Sequence, residues 1–185
     1  MRGAGEHVHA ARSLSVRDLA LALALLVGLV TQAPAFTMAA FRGKVVGAAD
    51  GDTITVLHDG HGERVRLHGI DAPEKGQPFG NRAKQYASEL TFGNIVTVEP
   101  TDRDQYGRIV ADVRLPDGRS LNREMVRAGL AWWYRRYSHD PELARLEAEA
   151  RAARRGLWAD PHPVPPWEWR RARGPAVPSA SSGRP

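Results

Sequence analysis

The sequence predicts an α+β domain dominated by a small β-barrel. Three observations carry this. Five short segments rich in β-branched residues fall between Lys44 and Leu115, and three segments of helical periodicity lie between and after them. The regular strand–helix alternation of a parallel sheet is missing.

Taken in order, Lys44 to Ala49 reads as the first strand and Thr53 to Leu57 as the second, the latter alternating and β-branched. Asp59-Gly60-His61-Gly62 is a turn between them and the next strand. Arg64 to Ile70 alternates Arg, Val, Arg, Leu and His, as a half-buried strand does. Lys75 to Gly80 contains Gly, Pro and Gly and reads as a loop. Asn81 to Leu90 places Ala83, Tyr86, Ala87 and Leu90 on one helical face, with Gly93 as a stop. Ile95 to Val98 and Ile109 to Leu115 are two further strands, the second ending at the tight turn Pro116-Asp117-Gly118. Leu121 to Ala128 is helical and ends at Gly129. Asp140 caps a third helix with Pro141 in its first position, and Leu143, Leu146, Ala150 and Ala153 face the core until Gly156. A five-stranded OB-fold barrel with about three packed helices fits this order. Pattern alone leaves other α+β arrangements open.

The chain has 185 residues, enough for one domain of modest core plus extensions. It carries a formal charge of +5, which favours a polyanionic partner or an anionic surface. There is no cysteine, which excludes disulfides, thiolate zinc sites and cysteine nucleophiles. Residues 1–35 read as an export signal or N-terminal anchor. Arg2, Arg12 and Arg17 precede an uncharged apolar run from Leu19 to Val30, and Ala33-Pro34-Ala35 or Thr37-Met38-Ala39 offers small residues for cleavage. The expectation is an exported protein, secreted or periplasmic, touching a membrane only through residues 19–30 if they are retained. The domain is expected over 41–158. Residues 159–185 read as a Pro/Trp-rich and then disordered tail, disordered from about Arg171.

The polar motifs carry the chemistry. Asp50-Gly51-Asp52-Thr53 opens the second strand, and Arg66-Leu67-His68-Gly69-Ile70-Asp71-Ala72-Pro73-Glu74 ends the third. Asp104-Gln105-Tyr106-Gly107-Arg108 precedes the fifth. Each alone is an ordinary turn or loop. Together they supply carboxylates for a hard, oxygen-binding cation and arginines for a phosphate, which points to phosphodiester cleavage. Asp52 and Asp71 flank predicted strands, so a barrel can bring them together as metal ligands.

This set resembles the staphylococcal-nuclease-like family, also called thermonucleases, over roughly residues 43–158. The spacing of Arg66, Asp71 and Glu74 and the upstream position of Asp52 carry the resemblance. It implies an OB barrel with three helices and a calcium-dependent endonuclease that cuts DNA and RNA with little sequence preference, leaving 3′-phosphates. By resemblance Asp52, Asp71 and the Ala72 backbone carbonyl hold Ca2+, with other divalent ions possible. Asp50 stands behind them. Glu74 is the general base or water-orienting group, and Arg66 and Arg108 clamp the phosphate and stabilise the transition state. Tyr106 resembles a tyrosine that touches a terminal phosphate, and Tyr137 matches, by a looser alignment, an aromatic that stacks on a base. Gln105 departs from the basic residue usual there. The implied substrate is single-stranded or frayed DNA and RNA; no protein partner is evident, and a monomer is expected.

The alternative is a non-catalytic OB-fold module that only binds nucleic acid, though such modules typically lose acidic or arginine residues that this chain keeps. An EF-hand loop from Asp50 fails, because Thr55 and His61 do not supply its glycine and glutamate. His58, His61 and His68 form no credible zinc set. The tryptophans, all after residue 130, suit core packing and a tail strapped to the domain better than a nucleic-acid stacking surface, and Arg135, Arg136, Arg154, Arg155, Arg170 and Arg171 either add phosphate affinity or, as charge runs usually do, form a solvated face.

Overall fold

The computed structural model describes residues 38–173. The export pattern at 1–35, including the apolar run 19–30, and the end of the tail lie outside the described residues.

Five strands form a closed barrel. In chain order these are β1 (Phe41–Ala48), β2 (Thr53–His58), β3 (His61–Leu67), β5 (Ile95–Arg103) and β6 (Ile109–Arg114), arranged β1-β2-β3-β6-β5 with β5 returning to β1. All neighbours are antiparallel except β3 and β6, which run parallel. This is the expected OB-like architecture. Inward positions alternate along each strand, as the strand period requires. Val45, Ile54, Val56, Val65, Leu67, Val96, Val98, Ile109, Ala111 and Val113 fill the interior. Each fully buried valine or leucine contributes about 1.5–3 kcal/mol of hydrophobic stabilisation.

The strands differ from the sequence reading mainly at their ends. β1 begins three residues earlier than expected, because Phe41 to Lys44 pair with β5 before the strand crosses to β2. β5 runs to Arg103 rather than Val98, bending at a register shift between Pro100 and Asp102. The turn before β3 is only Asp59-Gly60, both at positive φ, so His61 and Gly62 already belong to the strand. β3 stops at Leu67 instead of Ile70. Gly69 adopts φ 72°, which turns the chain, and a two-residue strand β4 (Ile70–Asp71) pairs with β7 (Trp132–Trp133) outside the barrel. Buried Asn122 secures this turn by donating to the carbonyls of His68 and Ala111 and accepting from the Val113 N–H.

Helices α1 (Gly80–Thr91), α2 (Leu121–Arg127) and α3 (Pro141–Ala152) match the three expected segments. Asp140 caps α3 by accepting from the Glu142 N–H at 2.8 Å. Leu143, Leu146 and Ala150 are buried, but Ala153 is exposed past the helix end. On α1, Ala83 and Ala87 are buried while Tyr86 and Leu90 are only half covered. The stretch after Trp158, read from sequence as a tail, contains a fourth helix, α4 (Pro166–Arg173). Trp132 and Trp158 form a second, aromatic core beside the barrel, and Trp167 of α4 packs on it. No helix among the described residues is long and apolar enough to cross a membrane.

Candidate functional site

The site is assembled where β2 and β6 begin and β3 ends. Thr53 of β2 pairs with Arg66 of β3, and Arg66 pairs with Val110 of β6, so Asp52, Arg66 and Arg108 must converge. Arg66 points outward because Val65 and Leu67 point inward. Its Nη1 donates to the Leu67 carbonyl at 2.7 Å. Its Nη2 lies 3.2 Å from Asp52 Oδ2 and 3.0 Å from Asp71 Oδ1. Two carboxylates from opposite sides therefore converge on a single guanidinium nitrogen.

Backbone contacts bring those carboxylates together. Asp52 Oδ2 accepts the Ala72 N–H at 2.7 Å, stapling the β2 entrance to the segment after β4. Ala72 thus meets Asp52 through its amide. Asp50 Oδ1 accepts the Asp52 N–H at 3.0 Å and so holds the backbone of the Asp52 loop. Gly51 is packed so closely that a Cβ there would lie 2.6 Å from Ala83 Cβ and 2.8 Å from Ala72 Cβ. Its lack of a side chain lets the Asp52 loop sit against α1.

The electrostatics follow from burial. Desolvation pushes the Asp52 carboxyl up to about 7, against the charge of Arg66, and the neighbouring Asp50 and Asp71 add to the rise. Desolvation also raises Asp71, opposed by the hydrogen bonds of Arg170 and the charge of Arg66. Both carboxylates are nearly inaccessible, at 6% and 1% exposure.

Arg108 arrives on the turn before β6. Asp104 shapes that turn by accepting the N–H groups of Tyr106 and Arg108 at 2.9 Å, and it holds Arg108 Nε at 2.7 Å. These bonds outweigh the opposing effect of burial and keep the Asp104 carboxyl below its usual range. Arg108 Nη1 reaches Thr53 Oγ1 at 3.4 Å, next to Asp52. Tyr106 is exposed, with the Arg108 guanidinium 5.5 Å from its ring centre. Tyr137 is exposed on the other rim, edge-on to Tyr134 at 4.8 Å.

Glu74 follows Pro73 on a loop fastened by buried Gln77. Gln77 Oε1 accepts the Glu74 N–H at 3.0 Å, and the Gln77 N–H donates to the Glu74 carbonyl at 2.9 Å. All nine residues singled out from the sequence line one cleft of about 960 Å³: Asp50, Asp52, Arg66, Asp71, Ala72, Glu74, Tyr106, Arg108 and Tyr137.

Two contributors, Gln77 and Glu147, escaped the sequence reading, and a third, Arg170, was read only as one of the late arginines that add phosphate affinity or cover a solvated face. Arg170 of α4 reaches into the cleft, with Nη2 2.8 Å from Asp71 Oδ2 and Nη1 2.5 Å from Glu74 Oε1. Pro166 at the helix start and an aromatic three residues before Arg170 were the available signals. Gln77 also donates to the Val164 carbonyl at 2.7 Å, tying the Glu74 loop to the segment before α4. Buried Glu147 accepts the Trp133 N–H at 3.2 Å and pairs with Arg135 and Arg151, bracing the strand that pairs with Asp71. Lone acidic and amide residues in loops and helices give no periodic cue to such roles.

The site therefore offers hard oxygen donors, fixed guanidinium groups and an open anion-accepting face. Residues 64–160 match the family model described as staphylococcal nuclease homologue. That match starts downstream of Asp52, which enters the site by geometry. A protein ParB of Escherichia coli is 48% identical over 170 residues, covering 86% of this chain and 93% of its own length. An uncharacterized endonuclease of Escherichia coli is 50% identical over 129 residues, or 70% and 84% of the two chains. A micrococcal nuclease of Shigella flexneri is 45% identical over 161 residues, or 82% and 91%.

Proposed function

The chain belongs to the staphylococcal nuclease homologue family, and from that membership and its cleft we propose that it is a metal-dependent endonuclease cutting DNA and RNA with little sequence preference. The observation that carries this reading is the convergence of Asp52 and Asp71 on one Arg66 nitrogen, with Arg108 beside Asp52.

The donor set fits a hard divalent cation. Asp52 and Asp71 supply anionic oxygens aimed at one cationic point, and oxygen is the ligand such ions take. Among the described residues no three acidic or histidine side chains form a ready-made metal cluster. Asp52 and Asp71 would hold the ion with the Ala72 carbonyl, and calcium is the ion the family resemblance implies. When bound, such an ion supplies charge neutralisation and a site for the attacking water.

The chain's own groups do the rest. Arg66, fixed by the Leu67 carbonyl, binds the phosphate in the ground state, and Arg108 stabilises the charge that builds up as the bond breaks. Glu74 takes the proton of the attacking water. A bond forms from the water oxygen to phosphorus, the bond to the 5′-oxygen breaks, and that oxygen takes a proton from solvent water as it leaves, while Glu74 returns its proton to solvent. A 3′-phosphate remains. Tyr106 and Tyr137 on the rims suit a terminal phosphate and a stacked base, which favours single-stranded or frayed substrate. The apolar pattern of residues 1–35 supports export, which N-terminal sequencing of the protein recovered outside the cytoplasm would test.

The experiment is cleavage of labelled single-stranded DNA and RNA by the purified protein, with calcium and with a chelator. The expected result is cleavage of both in calcium, ends carrying 3′-phosphate, and none with chelator. Binding without cleavage under every metal tried would leave the non-catalytic module.

A further inference from the structure

Helix α4 is seated by specific contacts. Pro166 is buried, and the Trp167 ring lies parallel to Tyr134 at 3° and 5.2 Å, and edge-on to Trp132 at 5.6 Å. The chain just before the helix is held by Gln77 at the Val164 carbonyl. Three residues on from Trp167, Arg170 falls on the same helical face. Its two terminal nitrogens straddle the Asp71 carboxylate, 2.8 Å from Oδ2 and 3.3 Å from Oδ1, and one of them also meets Glu74. Arg170 is itself exposed, as are Arg171 and Arg173, so it meets these carboxylates from the solvent side.

We propose that Arg170 is a third arginine of the site that competes with the divalent cation for Asp71, and so sets the metal concentration the protein requires. This rests on the metal-dependent reading above. A guanidinium fork engages both oxygens of the carboxylate. A hard cation binds such oxygens at about 2.3–2.6 Å. Both cannot take the same oxygens without placing two positive charges in contact, so metal entry at Asp71 displaces the fork. Arg66 also meets Asp71, at Oδ1 alone, and is the fixed partner: it is carried on a barrel strand, nearly buried, and bonded to the Leu67 carbonyl and to Asp52. Arg170 is the yielding partner: its side chain is 44% exposed and rides on a short helix docked through Pro166 and Trp167. Linkage is reciprocal, so whatever weakens the Arg170 contact tightens metal binding.

Calorimetric titration of calcium chloride into the purified full-length protein at fixed ionic strength tests this, with Arg170→Ala, Arg170→Gln, Trp167→Ala and Asp71→Asn alongside. Arg170→Ala should bind calcium roughly tenfold more tightly than the parent, within the usual range of site–site coupling. Trp167→Ala, which loosens the helix but keeps the arginine, should shift affinity the same way by less. Asp71→Asn should bind weakly or not at all. Thermal melts establish that each variant is folded, and Arg170→Gln decides the matter if the alanine variant is not. Equal or weaker calcium binding by a folded Arg170 variant overturns the competition and leaves the metal reading intact. Undiminished binding by Asp71→Asn puts the ion elsewhere and also overturns it. No calcium binding by any form overturns both.

Discussion

Replacing Asp52 by asparagine should stabilise the metal-free protein while abolishing its activity. Asp52 is almost wholly buried, and desolvation lifts its carboxyl to about 7 from a usual 3.8. Between those two values the unfolded chain is ionised at this residue while the folded chain keeps the proton. The unfolded state then binds fewer protons, and stability falls as pH rises through that window. A rise of roughly three pH units corresponds to at most about 4 kcal/mol. Asparagine has no charge to desolvate, and the Ala72 hydrogen bond and the charge of Arg66 already oppose burial within that rise. The expectation is a gain of up to about 4 kcal/mol for Asp52→Asn at pH 8, or up to roughly 10 °C in melting temperature for a domain of this size. Calorimetric melts in chelator at pH 5 and pH 8 measure it, and the gap should widen with pH. Calcium should then raise the melting temperature of the parent and leave the variant unmoved. An asparagine variant that melts below the parent at pH 8 in chelator would refute the reasoning.

Further outcomes follow from the same geometry. Glu74→Gln and Arg108→Ala should each lower turnover on single-stranded DNA by at least about a hundredfold, read under saturating substrate; full activity in both would move the chemistry elsewhere. Gly51→Ala should cost about 1–3 kcal/mol in denaturant melts, because its Cβ meets Ala83 and Ala72 at under 3 Å. Glu147→Ala should cost about 1–3 kcal/mol by orphaning the Trp133 N–H, and Glu147→Gln should recover part of the loss.

The barrel was legible because its signal is local. Thr53 to Leu57 alternates and is β-branched, and Asp140-Pro141 announces α3. Strand ends were less legible, because pairing rather than propensity sets them. Nothing in Phe41 to Gly43 alone says that it will find β5, and only Gly69 hints that the chain turns before Ile70. The motif residues line one cleft because Asp52 and Arg108 immediately precede β2 and β6, the two strands that flank Arg66 on β3. Arg170 was hidden for a different reason. It is 99 residues from Asp71, and a short arginine-rich helix after a proline run has the composition of a solvated tail. Its position depends on where Trp167 docks, a tertiary fact with no periodic trace.

The parallel seam between β3 and β6 has a consequence for the order of assembly. Val65 to Leu67 must find Ile109 to Ala111 across some forty intervening residues, and every other barrel contact is antiparallel. Such distant pairings are slow to form. Asp52 and Arg66 lie on one side of that seam and Arg108 on the other, so a chain that has not yet joined it holds its two arginines apart. A form in which this seam is still open therefore lacks the paired arginines that the proposed chemistry uses, even where β1, β2 and β3 have already joined.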